Sequence, residues 1–208
     1  MVRTDHIVMP ENHMEELYNA QNPMVRFVHN SRLDKIVSLL PQTGTYKILD
    51  AGCGEGHLIQ KMHARLPHNS YYGADITDIA LSSSLERCPF AQFKKMDLGN
   101  LAYEKESFDI IICTEVLEHI YEYEVVIAEL TRVLKKDGKL IISFPHEPLW
   151  TLSRFLLRRR PIKVPDHVNS FTPRRLRSKI NMRQTYQRSL PFPLPFRLSL
   201  GCIIQFTK

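Results

Sequence analysis

The chain has 208 residues, 43% hydrophobic and 24% charged, the balance of a soluble globular protein with one sizeable core. No apolar run reaches the roughly 20 residues of a membrane-spanning helix. The opening MVRTDHIVMPENHMEE lacks the apolar core and cleavage site of a secretory leader, so a cytoplasmic protein is expected. The net charge of +6 is unevenly placed: residues 154–188 hold eleven Lys or Arg against one acid, Asp166, a local +10 on a body of −4.

Two helices open the chain, 11–22 and 24–40, broken at Asn22-Pro23; the second carries Val25, Val28, Leu33, Ile36, Val37 and Leu40 at helical spacing. Strands and helices then alternate. YKILDA (46–51) precedes helix 57–66, YYGAD (71–75) precedes helix 78–87, and FAQFKKMD (90–97) is a third strand. FDIIICT (108–114) leads to helix 121–135, and after an Asp137-Gly138 turn comes KLIISFP (139–145). Runs such as IIIC, apolar without alternation, suit strands buried on both faces, so an α/β fold with a parallel sheet and helices on both sides is expected. Beyond it, helices are expected at 148–160 and 172–181, then PFPLPF (191–196) as a connection and LGCIIQF (200–206) as a strand. The cysteines Cys53, Cys88, Cys113 and Cys202 form no CxxC pair and read as buried, reduced thiols.

The loop after the first strand, DAGCGEG (50–56), carries the chemistry. Ligands of open parallel sheets sit beyond the strands' carboxyl ends, and this turn lies there. Its spacing is GxGxG, with His57 where a dinucleotide fingerprint has its third glycine, and it lacks the GK[ST] ending of a phosphate loop. Asp50 and Glu55 would repel a pyrophosphate and suit amine and sulfonium groups. Three further strand ends carry acids: Asp75, placed to accept from ribose hydroxyls, Asp97, available to an adenine amino group, and Glu115 at the lip of the same cleft.

In that order, LDAGCGEG, GADIT, KKMDL, FDIIICTEVLEHI and RVLKKDGKLIISFP resemble the class I S-adenosylmethionine-dependent methyltransferases over roughly 46–145. The resemblance implies a Rossmann-like, doubly wound sheet of seven strands, mostly parallel, with LGCIIQF as its antiparallel last strand. It implies S-adenosylmethionine as methyl donor, with Asp50 and Gly52 at the methionine end, Asp75 at the ribose, and Cys53, Gly54 and Ile76 among the donor-binding residues. Asp97 and Leu98 fall to the adenine, Thr114 and Glu115 to the sulfonium side. One domain is expected: a helical cap (1–45), the donor-binding core (46–145), and an acceptor-side insert with a final hairpin (146–208).

The EVLEH segment is similar to that of ubiquinone-pathway O-methyltransferases. Some enzymes with it, small-RNA 2′-O-methyltransferases among them, place its two glutamates and histidine on a divalent metal. Here those are Glu115, Glu118 and His119. No metal is the preferred expectation, since Ile120 follows His119 where the RNA enzymes have a further histidine; Glu118 and His119 then cap and orient the next helix. A hydroxyl acceptor needs its proton removed, and His119, His146 and His167 are the candidate bases. The insert mixes Phe155, Leu156 and Leu157 with arginines. It suits a small, phosphorylated or lipid-linked acceptor and peripheral contact with an anionic membrane through 154–188. An RNA surface ranks behind these for want of interleaved aromatics. A protein that binds the donor without turnover is the alternative of a different class.

Overall fold

The computed structural model describes residues 13–158, 164 and 166–208. Helices α1 (His13–Tyr18) and α2 (Pro23–Leu39) precede β1 (Lys47–Ala51). Asn22 breaks the pair as expected: its side-chain oxygen accepts from Met24 N at 2.9 Å, capping α2, with Pro23 in the first turn. Then follow α3 (His57–Arg65), β2 (Ser70–Asp75), α4 (Asp78–Arg87), β3 (Gln92–Lys95), β4 (Phe108–Thr114), α5 (Tyr123–Val133) and β5 (Leu134–Pro145). The remainder holds α6 (Glu147–Leu156), α7 (Pro173–Arg177), β6 (Arg183–Leu190) and β7 (Gly201–Thr207).

The seven strands lie in the order β3-β2-β1-β4-β5-β7-β6. β7 runs antiparallel to both its neighbours, so the other six strands share one direction. Along β4 the side chains alternate between two cores. Ile110 and Ile112 pack with Leu33 and Ile36 of α2 and Ile59 and Met62 of α3; Ile111 and Cys113 pack with Val126 and Leu130 of α5 and with Phe171. Helical layers on both faces explain the unbroken apolar strands.

Several boundaries differ from the sequence expectation, α1 ending at Tyr18 rather than 22 and α7 at Arg177 rather than 181. Helix α5 stops at Val133, and Leu134 already pairs with Phe108 as β5 begins, because its side chain is fully buried beneath Gly138. Helix α6 ends at Leu156, residues 159–163 lying outside those described. Strand β6, RQTYQRSL, lies in a stretch the sequence left unassigned. It is the sheet's last strand, paired on one side with β7, and such edges favour polar and charged residues.

Candidate functional site

β1 and β4 are neighbours although their chain continuations diverge to opposite sides, so the crevice beyond their carboxyl ends is the switch point of the sheet. A cavity of about 820 Å³ opens there. The glycine turn forms one wall. Gly52 N and Cys53 N donate to Ala74 O at 2.8 and 3.1 Å, tying the turn to β2. Gly52 has φ +80°, and a Cβ there would stand 2.3 Å from Val116 Cγ2, so a side chain is excluded. Gly54, at φ +50°, faces open space, leaving its backbone bare to a ligand.

Asp75 is oriented before any ligand arrives. Its Oδ2 accepts from Gly54 N at 2.9 Å, and its Oδ1 accepts from Thr77 N and Oγ1 at 3.0 and 2.8 Å. Oδ1 has both lone pairs engaged, and Oδ2 keeps one for a hydroxyl. Asp50 is almost fully buried, and burial, then the charge of Asp75, pushes its carboxyl well above the usual range. Such a group gains from a cationic ligand. The Thr114 hydroxyl, buried on the same wall, has no hydrogen-bond partner among the described residues. Ile76, Met96 and Leu98 add an apolar strip. These features fit a nucleoside that carries an amino acid, such as S-adenosylmethionine: bare backbone, an acid for hydroxyls, a buried acid for an amine, and apolar walls for a base.

Of the ten donor-site residues expected from the sequence, nine line this cavity: Asp50, Gly52, Cys53, Gly54, Asp75, Ile76, Leu98, Thr114 and Glu115. Asp97 does not; its Oδ1 accepts from Gly99 N at 2.8 Å and closes the turn after β3. Glu55 lines the cavity but its carboxylate caps α1 instead, accepting from Met14 N and Glu15 N at 3.0 Å each. Glu15 in turn pairs with Arg87 at 2.5 Å and with His57 at 3.3 Å, which latches α1 against the glycine turn.

Glu115 is held unusually. Its φ of +54° lies in the left-handed region, a strained setting for a non-glycine residue. Its Oε1 accepts from Ser143 Oγ at 3.0 Å, and its Oε2 pairs with Arg32 of α2 at 2.9 Å. Arg32 is missing from the expectations. It stands three or four residues from His29, Val28 and Ile36 on the buried face of α2, and a charge inside an apolar stripe is the signal of a buried partner.

Beyond Glu115 the cavity changes character. Leu117–His119 form a 3-10 turn, and Val168 N and Asn169 N both donate to Glu118 O, at 2.8 and 2.9 Å. Asn169 Nδ2 also donates to Ile120 O at 2.7 Å. These bonds bring His167 against His119, ring centroids 4.6 Å apart. Nδ1 of His119 pairs with Asp166 at 3.1 Å and Nδ1 of His167 with Glu147 at 2.6 Å. Burial works to raise the Asp166 carboxyl, yet its bond to His119 prevails and holds it below the usual range. Glu118 is 1% exposed, and neither carboxylate oxygen has a hydrogen-bond partner among the described residues. Burial, then the charge of Glu115, pushes its carboxyl well above the usual range.

Both His119 and His167 line the cavity; His146 does not, its Nδ1 lying 3.1 Å from Ser199 O and its ring against Phe196. Trp150 of α6 and His29 of α2 line the cavity and meet with centroids 5.6 Å apart; elsewhere Phe27 on α2 meets Phe192 at 5.7 Å. Leu152, Phe155 and Leu156 of α6 are exposed and do not line the cavity. The basic residues of 154–188 do not share one face. Arg154 lines the cavity, Arg175 lies over Phe171 and Tyr123, Lys179 pairs with Glu124 of α5, and Arg183 and Arg188 sit on edge strand β6. Arg159, Arg160 and Lys163 lie outside the described residues. No helix among the described residues is long and apolar enough to cross a membrane.

The methyltransferase-domain family matches residues 49–142 of this chain. A ubiquinone biosynthesis O-methyltransferase of Xanthomonas oryzae pv. oryzae is 34% identical over 122 residues, 54% of this chain and 48% of that protein. Trans-aconitate 2-methyltransferase of Variovorax paradoxus is 27% identical over 134 residues, 63% of this chain and 52% of that one. The chain thus spans about half the length of these curated relatives. Among solved structures, a S-adenosylmethionine-dependent methyltransferase of Thermotoga maritima, described as a possible histamine N-methyltransferase, superposes with a TM-score of 0.73. Its sequence identity is 20%, over 95% of both chains, a likeness of fold.

Proposed function

We propose, from the methyltransferase-domain match over residues 49–142 and the cavity it contains, that the chain is a class I S-adenosylmethionine-dependent methyltransferase and that it methylates a hydroxyl oxygen on an acceptor with a polar reactive end and an apolar body. When bound, S-adenosylmethionine supplies a methyl group on a sulfonium that leaves as a neutral thioether. Asp75 receives the ribose hydroxyls, Asp50 and the Thr114 hydroxyl the methionine end, and Ile76, Met96 and Leu98 the adenine. Asp97, fixed in its own turn, has no part in this assignment.

The observation that carries the acceptor proposal is the change of lining along one continuous cavity. Next to the donor wall stand two imidazoles, His119 and His167, each held at Nδ1 by a carboxylate, with buried Glu118 beside them. Methyl transfer gains most from holding the acceptor close and aligned, and a hydroxyl also needs its proton withdrawn. A cluster of two imidazoles and one carboxylate meets the second need; a thioether or an amine already free of its proton would not call for it. Past the cluster the lining holds Trp150, Val164 and Leu157 with Arg154, and α6 carries further exposed apolar side chains, Leu152, Phe155 and Leu156. That lining suits a lipid-linked acceptor presented at an anionic membrane surface.

The test uses donor with a labelled methyl group. One arm offers soluble hydroxylated compounds; the other offers the same head groups on long alkyl chains in vesicles containing anionic lipid. Transfer to oxygen, faster in the vesicle arm, is expected. Tight donor binding in calorimetry with no transfer in either arm would instead identify a binding protein. Faster transfer in the soluble arm would remove the lipid-linked acceptor.

A further inference from the structure

We propose that the start of α2, the helix α6 and the 191–198 connection between β6 and β7 form one docking face for an anionic lipid surface. This deepens the reading of a lipid-linked acceptor and rests on it. It also relocates the contact. The basic residues of 154–188 do not share one face, and most of the side chains that make this face lie outside that stretch.

The first observation is where the exposed apolar side chains fall. Among the described residues, nine of the fourteen large ones lie on these three segments. The segments also touch one another. Phe27 meets Phe192 at 5.7 Å, His29 meets Trp150 at 5.6 Å, and His146, which opens α6, meets Phe196 at 4.5 Å. Single exposed apolar residues need no explanation, but a concentration of them on adjoining elements marks a surface that something covers.

The second observation is that the connection is built rather than slack. Pro191, Pro193 and Pro195 restrict its backbone. Buried Ser199 donates from Oγ to Pro195 O and Leu194 O at 3.0 and 3.3 Å, and Leu198 N donates to Pro195 O at 2.8 Å. Phe192, Leu194 and Leu198 are thus presented to solvent on a fixed loop, which loses little freedom when they insert.

The third is charge. Arg26, Arg158 and Arg197 stand exposed on the same segments, and residues 20–33, 148–158 and 187–208 contain no Asp or Glu. A second copy of the chain would set one cationic face against another. An anionic bilayer instead takes up the apolar side chains and pairs the guanidinium groups with its phosphates. The cavity reaches this face as well, because Met24 and Leu157 line it and are themselves exposed. Docking therefore turns that edge of the cavity to the bilayer, where the tail of a lipid-linked acceptor resides.

The test is co-sedimentation of the full chain with phosphatidylcholine vesicles, with and without phosphatidylglycerol. Binding to the anionic vesicles is expected, weakened by high salt but not abolished, since insertion is apolar. Phe192→Ser combined with Leu194→Ser should lower the partition coefficient roughly tenfold or more. Arg197→Gln should lower it about threefold to fivefold, and only on anionic vesicles. Leu85→Ser, exposed on α4 at the β3 edge of the sheet, and Arg177→Gln on α7 should leave it unchanged. The substituted side chains are exposed, so every thermal melt should match the parent. In a Trp150→Phe background, Phe192→Trp puts the sole indole on the connection, and lipid brominated along its acyl chains should quench it. Four results would overturn the face: no sedimentation with anionic vesicles, complete release by salt, undiminished binding of the Phe192 and Leu194 variant, or a concentration-dependent dimer which that variant abolishes. Undiminished binding of the variant removes the face and leaves the lipid-linked acceptor standing. S-adenosylhomocysteine calorimetry on the same protein reads the methyltransferase function separately, and vesicle binding without it upholds the face and removes that function.

Discussion

Replacing Arg32 by methionine tests whether α2 holds the catalytic crevice together through a buried charge. The two side chains of the Arg32–Glu115 pair are 8% and 21% exposed, with nitrogen and oxygen 2.9 Å apart. Methionine fills much of the same space, so the packing loss is small. What remains is a Glu115 carboxylate with one neutral bond, from Ser143 Oγ, beside buried Glu118, whose own carboxyl already feels it. Removing one partner of a buried pair costs about 3–5 kcal/mol, whereas an exposed pair is worth about 0–1. A domain holds only about 5–15 kcal/mol in all, so Arg32→Met should move the urea midpoint down by roughly 1.5–2.5 M at an m-value near 2 kcal/mol/M. Arg32→Met combined with Glu115→Gln leaves no orphan charge. It should cost at least about 2 kcal/mol less than the two single changes added together. Urea unfolding by circular dichroism at neutral pH measures all three variants. A single-variant cost below about 1 kcal/mol, or simple additivity in the double variant, would show that solvent screens the pair and refute the reasoning.

Two other outcomes follow from the donor wall and the cores. Asp75→Asn offers one acceptor oxygen where Gly54 N–H and the Thr77 N–H and hydroxyl occupy both ends of the carboxylate, so one end must face a donor with a donor. With the charge-assisted ribose bonds also weakened, S-adenosylhomocysteine affinity should fall by about 1.5–3 kcal/mol, roughly 10- to 150-fold in calorimetry; an unchanged affinity would displace the donor from this wall. All four cysteines are buried, and burial pushes the Cys88 thiol up to about 11, that of Cys202 to about 12, and those of Cys53 and Cys113 well above their usual value. None should react with Ellman's reagent at pH 8 until urea is added, when four should appear; a thiol reacting quickly in the folded protein would contradict the packing.

The cavity wall built on the glycine turn was legible in sequence because its parts are local. Each strand end fixes the next few residues, so Asp50, Asp75 and Thr114 could be placed from strand and turn alone, and the unbroken apolar runs of β4 and β5 announced a sheet covered on both sides. Strand β6 was not legible. RQTYQRSL has neither the apolar run of a central strand nor a buried face along most of its length, because it pairs on one side only. Arg32 could have been found: Val25, His29, Ile36 and Val37 surround it on the buried face of α2, and a lone charge there asks for a partner. The partner, 83 positions away, is a matter of how α2 packs beyond β4, which periodicity does not encode.

The four acids at successive strand ends looked alike in sequence, yet the fold gives them four different employments. Asp75 accepts from three loop donors, Asp50 is buried with no ion pair among the described residues, Asp97 closes a turn, and Glu115 is neutralised by Arg32. Glu55, counted among the acids that make the loop cationophilic, caps a helix. The negative potential facing a ligand therefore comes from fewer carboxylates than the sequence contains, and one of its contributors, Glu118, reads by sequence as a helix-orienting residue. Charge at a strand end becomes ligand recognition only where the surrounding backbone and side chains leave it unmatched. By that criterion Asp50 and Glu118 are the carboxyls on this cavity with most to gain from a ligand, because burial raises both and neither has an ion pair among the described residues.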